Sequence, residues 1–385
     1  MIIKNALVYT EQGSFEQMEV LVREGRIAAV EKKGFSDVAT GEKVVDGQGM
    51  YLIPGLTDIH FHGCVGYDFC DGTEEAIEAI ARYEAKNGVT TICPATMTYS
   101  EEILAGICDS ARSYREKYGE DHTGAALVGI NMEGPFISME KKGAQNPAYI
   151  HKPDVEMYRR LQERSGGLIR LVDIAPETEG AMAFIREVHG ETVCSLAHTT
   201  ADYETATEAF ENGASHVTHL YNAMQPYTHR KPGLIGAAAD TPDCEVELIC
   251  DGIHIHPAAV RSTFRMFGAD RVIMISDSMM ATGMEDGMYS LGGQPVKVCG
   301  NLATLSDGTI AGSATNLMQC VRVAVKEMGI PLETAIRCAA VNPAKSIGIY
   351  DRYGSITAGK AANLVLLDRE LTVVKVILNG EEYGG

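Results

Sequence analysis

Six side chains in this sequence could bind a divalent metal or move a proton, and each follows an apolar segment: His60, His62, Glu133, His198, His219 and Asp277. His60 and His62 are two residues apart, so on an extended strand their rings share a face and can grip one ion. Imidazole nitrogen mixed with carboxylate oxygen suits a borderline ion, zinc first, with iron or manganese as alternatives. Such an ion beside a carboxylate that accepts and returns a proton can drive hydrolysis of a stable bond. A single histidine at a strand end is ordinarily just a hydrogen-bonded residue, so the reading rests on the six arriving together. His122, His151, His189, His216 and His256 take the plainer reading. His216, three residues before His219, should face the other side of its strand. Glu74, Glu75 and Glu78 read as a solvated helix face with favourable charge near the helix amino terminus. Lys141-Lys142 reads as a solvated loop, with a phosphate contact as the alternative.

The six can meet only if their segments converge. Apolar runs predict strands at Leu56 to Ile59, Val89 to Cys93, Leu127 to Met132, Ile169 to Ile174, Val193 to Ala197, Ser215 to Thr218, Val246 to Cys250 and Val272 to Ser276. Continuous apolar character suits parallel strands covered on both faces. Helical patterns fill most gaps: Glu74 to Lys86 after a Thr73 cap, Glu101 to Lys117 after Ser100, Thr178 to Val188, Asp202 to Glu211, and Ala258 to Phe267. Asn316 to Met328 and Leu332 to Ala340 follow the last strand. After the sixth strand, around Lys231-Pro232-Gly233, the pattern is irregular. Repeated strand–helix units of this number predict an α/β fold, a (β/α)8 TIM-type barrel, whose active groups stand at the carboxyl ends of the strands. An open dinucleotide-binding sheet would call for a glycine-rich turn after an early strand, where this chain has His60-Phe61-His62. Both chain ends read instead as short alternating strands with Glu24-Gly25 and Asn379-Gly380 turns. They predict a small β-sandwich domain, discontinuous in sequence, from residues 1–54 and 346–385, with the catalytic barrel at 55–345.

The chain has 385 residues, 45% hydrophobic and 22% charged, which is ordinary for a globular protein able to bury a large core. A net charge of −19 argues against a nucleic-acid partner. No apolar run reaches the ~20 residues needed to span a bilayer. The Met1 to Val8 segment lacks the features of a secretory signal. The ten cysteines are scattered with no C-x-x-C pair, and Cys93, Cys194, Cys250 and Cys320 sit within apolar runs. They read as reduced thiols, hence a cytoplasmic protein.

Pro54-Gly55-Leu56-Thr57-Asp58-Ile59-His60-Phe61-His62-Gly63 resembles the signature of the amidohydrolase superfamily. Asn131-Met132-Glu133-Gly134-Pro135-Phe136, Leu196-Ala197-His198-Thr199, His219-Leu220-Tyr221-Asn222-Ala223-Met224 and Ile275-Ser276-Asp277-Ser278-Met279 are similar to the N-acetylglucosamine-6-phosphate deacetylases within it. The similarity runs nearly end to end, through Gly354-Ser355-Ile356 and Gly359-Lys360-Ala361-Ala362-Asn363-Leu364. The resemblance implies metal-dependent release of acetate from an N-acetyl amino sugar 6-phosphate. By position, Glu133, His198 and His219 would hold the principal ion. His60 and His62 would serve a second, giving one or two ions per subunit. Asp277 would be the acid–base group. Arg230 and His254 would meet the sugar phosphate, the His reaching a neighbouring subunit of a homodimer. Asn222, Ala223, Ala144, Ile310, Ala311 and Gly312 would line the pocket. Gln145 stands where most members carry a His that touches the sugar, which leaves the gluco or galacto configuration open. Ser276-Asp277-Ser278 replaces the more usual Thr-Asp-Ala. N-acetylgalactosamine 6-phosphate is the alternative substrate; an N-acyl amino acid or dipeptide hydrolase and a non-catalytic scaffold are the further readings.

Overall fold

Parallel strands alternating with helices carry the site. In this computed structural model, residues 1–32, 34–35, 42–119 and 124–384 are described; His122 lies outside them. Leu56–Asp58, Val89–Ile92 and Ala126–Leu127 form one parallel sheet, in that spatial order. Ile130–Met132, Ile169–Ile174, Val193–Leu196, His216–Val217, Glu245–Ile249 and Val272–Ile275 form a second, each strand beside its successor. The third predicted strand is thus present in two pieces, one in each sheet, split at Val128-Gly129. Past the last strand, Asp277 N–H donates to the His60 carbonyl at 3.0 Å and His62 N–H to the Ser278 carbonyl at 2.7 Å. The chain segment leaving the final strand therefore lies beside the one leaving the first. The result is a curled parallel α/β array.

Its interior and its helical coat are both apolar. Ile59, Cys93, Ala126, Leu171, Ile249 and Ile275 cluster with Ala344 of the last helix, Asn342–Ser346, and with Ile347, Ile349 and Tyr353 beyond it. A larger cluster joins the strands to the helices, where Ile77, Ile80, Leu104, Ile107, Phe184 and Val260 recur at helical spacing. Thr73 and Ser100 cap their helices as expected, each side chain accepting from the backbone three residues on. Such a cap is worth about 1 kcal/mol.

The structure also departs from the sequence reading. Thr178 does not begin a helix: Gly180 adopts φ 93° and the helix is Ala181–Val188. The irregular stretch after the sixth strand holds the helix Gly233–Asp240. Buried from Gly233 to Ala238, it shows no amphipathic stripe. Val155–Arg164 is a further unanticipated helix, capped by Asp154, whose only buried residues are Met157, Tyr158 and Leu161. After the last parallel strand, Gly287–Leu291, Gln294–Cys299 and Leu302–Thr304 make an antiparallel sheet where no strand was expected. Leu332–Ala340 is not one helix: Leu332–Ile336 is α-helical and Arg337–Val341 is a wider π-helical turn.

Both chain ends join in one sheet. Val373–Leu378, Leu364–Leu367, Tyr51–Pro54, Ile2–Tyr9, Phe15–Arg23 and Arg26–Glu31 lie side by side in that order. Ile3, Val8, Val20, Leu52, Leu364 and Ile377 form its separate apolar cluster. Among the described residues no helix is long and apolar enough to cross a membrane, and all ten cysteines are free.

Candidate metal centre

Where the parallel strands end, the backbone turns sharply and aims side chains at one point. His198, His219 and Asp277 take positive φ of 45°, 31° and 50°. For residues bearing a Cβ that conformation is strained, and such strain gathers where a side chain must be aimed. Gly134 provides a similar turn after Glu133 with φ 83°, and a Cβ there would lie 2.1 Å from Thr98 Oγ1, so only glycine fits.

Glu133 is the hub. Its Oε1 lies 3.0 Å from His198 Nε2, 3.2 Å from His219 Nε2 and 3.5 Å from His60 Nε2. Its Oε2 lies 3.4 Å from His62 Nε2. Two groups could therefore hold an ion, His60–His62–Glu133 and Glu133–His198–His219, sharing one carboxylate. Asp277 Oδ1 stands 3.4 Å from His62 Nε2 and 3.9 Å from His60 Nε2. All six residues are buried.

The chemistry of this donor set fits a cation. His60 Nε2 is a buried nitrogen with no hydrogen-bond partner, and the Nε2 atoms of His198 and His219 face each other at 3.2 Å. Neutral rings presenting lone pairs at that separation gain from a positive ion between them. Two rings are anchored through their other nitrogen: His198 Nδ1 donates to the Lys141 carbonyl at 2.8 Å and His60 Nδ1 to Glu247 Oε2 at 3.0 Å. That leaves the Nε2 of these two rings free for a ligand bond. The buried carboxylates favour positive charge at this point. Burial opposes charge on His60, yet the Glu247 and Glu133 carboxylates hold its pKa well above the usual histidine value. Burial likewise opposes ionisation of Glu133, but the His198 and His219 rings keep it well below the carboxylate range. Asp277, also buried, is held low by His62 and His60, so it is ionised and able to accept a proton.

A cavity of about 550 Å³ opens over this cluster. His62, Glu133, His198, His219, Asp277, Asn222, Ala223, Ala144, Gln145, His254, Ile310 and Gly312 line it. His60 sits beneath, fully buried. Ala311 turns away between its neighbours into the apolar cluster of the added antiparallel sheet. His254 is held by its Nδ1 to Asp251 Oδ2 at 2.7 Å, which outweighs burial and raises its pKa. Lys141 and Lys142, read as a solvated loop, also line the cavity. Arg230 is exposed and lines a different depression with Thr228, Lys231 and Tyr203.

Sequence reasoning missed the supports. Glu247 is fully buried, and its Oε2 accepts from both the His60 ring and the His219 backbone N–H, each at 3.0 Å. A lone carboxylate inside the otherwise apolar run Val246 to Cys250 was the available signal. Asp58, pushed up to about 7 by burial despite bonds from Ser276 and His60, receives the Ser276 hydroxyl at 2.5 Å and ties the first strand to the last. His216 is hydrogen-bonded to Ser195 at 2.8 Å, as a core histidine would be, but it does not face away from the site: its Nε2 lies 3.9 Å from Glu247 Oε1.

A site of two histidine pairs around a shared glutamate, at the carboxyl ends of parallel strands, is the equipment of a metal-dependent hydrolase. The chain belongs to the amidohydrolase family, whose model matches residues 51–383. It is 36% identical over 381 residues to the N-acetylglucosamine-6-phosphate deacetylase of Bacillus subtilis, covering 99% of this chain and 96% of that protein. It is 31% identical over 381 residues to an N-acetylgalactosamine-6-phosphate deacetylase of Escherichia coli, covering 99% and 98%. The crystal structure of the N-acetylglucosamine-6-phosphate deacetylase from Pasteurella multocida superposes with a TM-score of 0.92 at 30% identity, covering 99% of this chain and 98% of that one.

Proposed function

We propose that the protein hydrolyses N-acetylglucosamine 6-phosphate to glucosamine 6-phosphate and acetate. The observation that carries this reading is Glu133 shared between two histidine pairs, with ionised Asp277 facing the same cavity. Glu133, His198 and His219 would hold the principal ion, and His60 with His62 a second, zinc being the ion the donor set suits best. A divalent ion there supplies Lewis acidity, which polarises an amide carbonyl and makes water a nucleophile near neutral pH. Asp277 takes the proton from the attacking water at a carboxylate oxygen. It then delivers that proton to the sugar nitrogen as the C–N bond breaks, so one water is consumed and acetate leaves. Asn222, Ala223, Ile310 and Gly312 orient the sugar. His254, fixed by Asp251, and the Lys141-Lys142 pair offer positive charge to a phosphate.

Acetate release is the test, assayed on the 6-phosphates of N-acetylglucosamine and N-acetylgalactosamine, on unphosphorylated N-acetylglucosamine and on an N-acetyl amino acid. The gluco 6-phosphate should have the highest kcat/KM. A higher value for the galacto epimer would select the other named relative's activity, and equal values with and without phosphate would reject the phosphosugar reading.

The architecture we infer is a closed (β/α)8 barrel of residues 55–345 with a small β domain from residues 1–54 and 346–385. Support comes from the third strand shared by both parallel sheets, the hydrogen bonds between the segments leaving the last and first strands, and the separate terminal cluster. We also infer a homodimer in which Arg230, outside the lining of its own chain's cavity, serves its partner's. Ten free thiols suit a reducing cytoplasm.

A further inference from the structure

Gln145 occupies the wall of the cavity, yet only 2% of it is exposed. Both ends of its amide are engaged by protein. Its Oε1 accepts from the Thr98 backbone N–H at 2.7 Å, and its Nε2 donates to Glu133 Oε2 at 2.7 Å while lying 3.7 Å from Met97 Sδ. The acceptor side rests on a backbone group, which cannot swing away. The donor side rests on the carboxylate around which both histidine pairs are arranged.

We infer that Gln145 is a positioning residue for Glu133 and not a contact for the sugar. The inference deepens the metal-centre reading and rests on it. A carboxylate on a glutamate stem can rotate about its last torsion, and rotation exchanges its two oxygens. Here they have different surroundings: Oε1 faces His198, His219 and His60, whereas Oε2 faces His62 and the Gln145 amide. An N–H fixed on Oε2 removes that rotation and presents Oε1 to the His198–His219 pair. The amide never titrates, so the hold does not depend on pH. Thr98 is itself packed against the turn that follows Glu133, since its Oγ1 fills the space a Cβ on Gly134 would need. Backbone, amide and ligand thus form one closed unit drawn from three segments of chain.

The test compares metal affinity with sugar selectivity. Gln145→Met keeps the length and removes the donor; Gln145→His restores a donor. Zinc affinity is measured by chelator competition on the purified full-length protein, and ligand geometry by the visible absorption of the cobalt-substituted form. Gln145→Met should bind zinc about 10–100-fold more weakly, the usual effect of losing a group that orients a ligand, and should alter the cobalt spectrum. Gln145→His should recover most of the affinity. The kcat/KM ratio between gluco and galacto 6-phosphates should stay within about twofold of the wild-type ratio, since both polar ends of the side chain are engaged by protein. Where Gln145→Met does not fold, Gln145→Ala is read in the same way. Unchanged zinc affinity and cobalt spectrum, or a shifted epimer ratio, would overturn the proposal. A wild-type protein that binds no zinc, cobalt, iron or manganese would instead reject the metal centre itself.

Discussion

At the residue scale the site depends on the sharing of one carboxylate. His198 and His219 both reach Glu133 Oε1, so a three-ligand site losing either ring keeps too few donors to hold an ion. His198→Ala and His219→Ala should each purify with far less than stoichiometric metal and without turnover. Full metal content with near-normal activity in either variant would disprove the assignment. Asp277 differs, because in the role proposed it handles the proton. Asp277→Asn should retain metal and substrate affinity while kcat falls about 10²–10⁴-fold, since an amide cannot relay the proton from water to nitrogen. A fall of less than about tenfold would move the acid–base role to another group. These residues were legible in the sequence because a metal site needs particular atoms, and few residue types carry them. Glu247 was not singled out, and Gln145 was noted only at a position expected to touch the sugar, because the hydrogen bonds each makes are defined by what it touches.

At the element scale, the parallel strands were easier to read than the helices or the antiparallel sheet at 287–304. An apolar run of four to six residues is a signal complete in itself, and the parallel strands fall where such runs stand. The helix Gly233–Asp240 was hidden because burial along its length erases amphipathic periodicity. Val155–Arg164 was hidden because three buried residues make too thin a stripe. The helix Glu74–Lys86 carries an anomaly on its buried face: Glu84 is 1% exposed, and its carboxylate has no stronger polar neighbour than the Cys64 thiol. Burial raises its pKa well above the usual 4.5, the nearby Asp58 adding to the shift. As pH rises past the unfolded value the unfolded chain ionises at this position while the folded protein stays protonated, so stability falls until the raised folded pKa is passed. Glu84→Met abolishes that loss. Its Tm should exceed the wild-type value by more at pH 8 than at pH 5, and a pH-independent difference would show that Glu84 is not buried as an acid.

At the scale of the whole molecule, the cavity is completed by parts remote in sequence. The antiparallel sheet after the last parallel strand brings Leu291 to its rim, and Gln294 Nε2 donates to the Ala144 carbonyl, bracing the loop that carries Gln145. Arg230 remains outside, exposed on another depression. If it serves the partner's phosphate, Arg230→Ala should raise KM for the 6-phosphate more than it lowers kcat. Mixing Arg230→Ala subunits with Asp277→Asn subunits should then restore activity, because each mixed dimer holds one intact site. Light scattering showing an active monomer, or mixtures with no gain over the separate variants, would rule out action across an interface.

By itself the sequence determined the parallel strands, the caps at Thr73 and Ser100, and the six residues that the fold brings to one point. Each is a local property: hydrophobic runs, a hydroxyl before a helix, a ligand atom at a strand end. Only the tertiary structure decided that Glu133 lies against both histidine pairs, that Glu247 and Gln145 hydrogen-bond to His60 and Glu133, that Lys141 and Lys142 face the cavity, and that Arg230 does not. Those outcomes depend on contacts between segments tens to hundreds of residues apart. Side-chain hydrogen bonds form over about 3 Å, and the chain's local pattern carries no record of which distant atom will arrive within that distance.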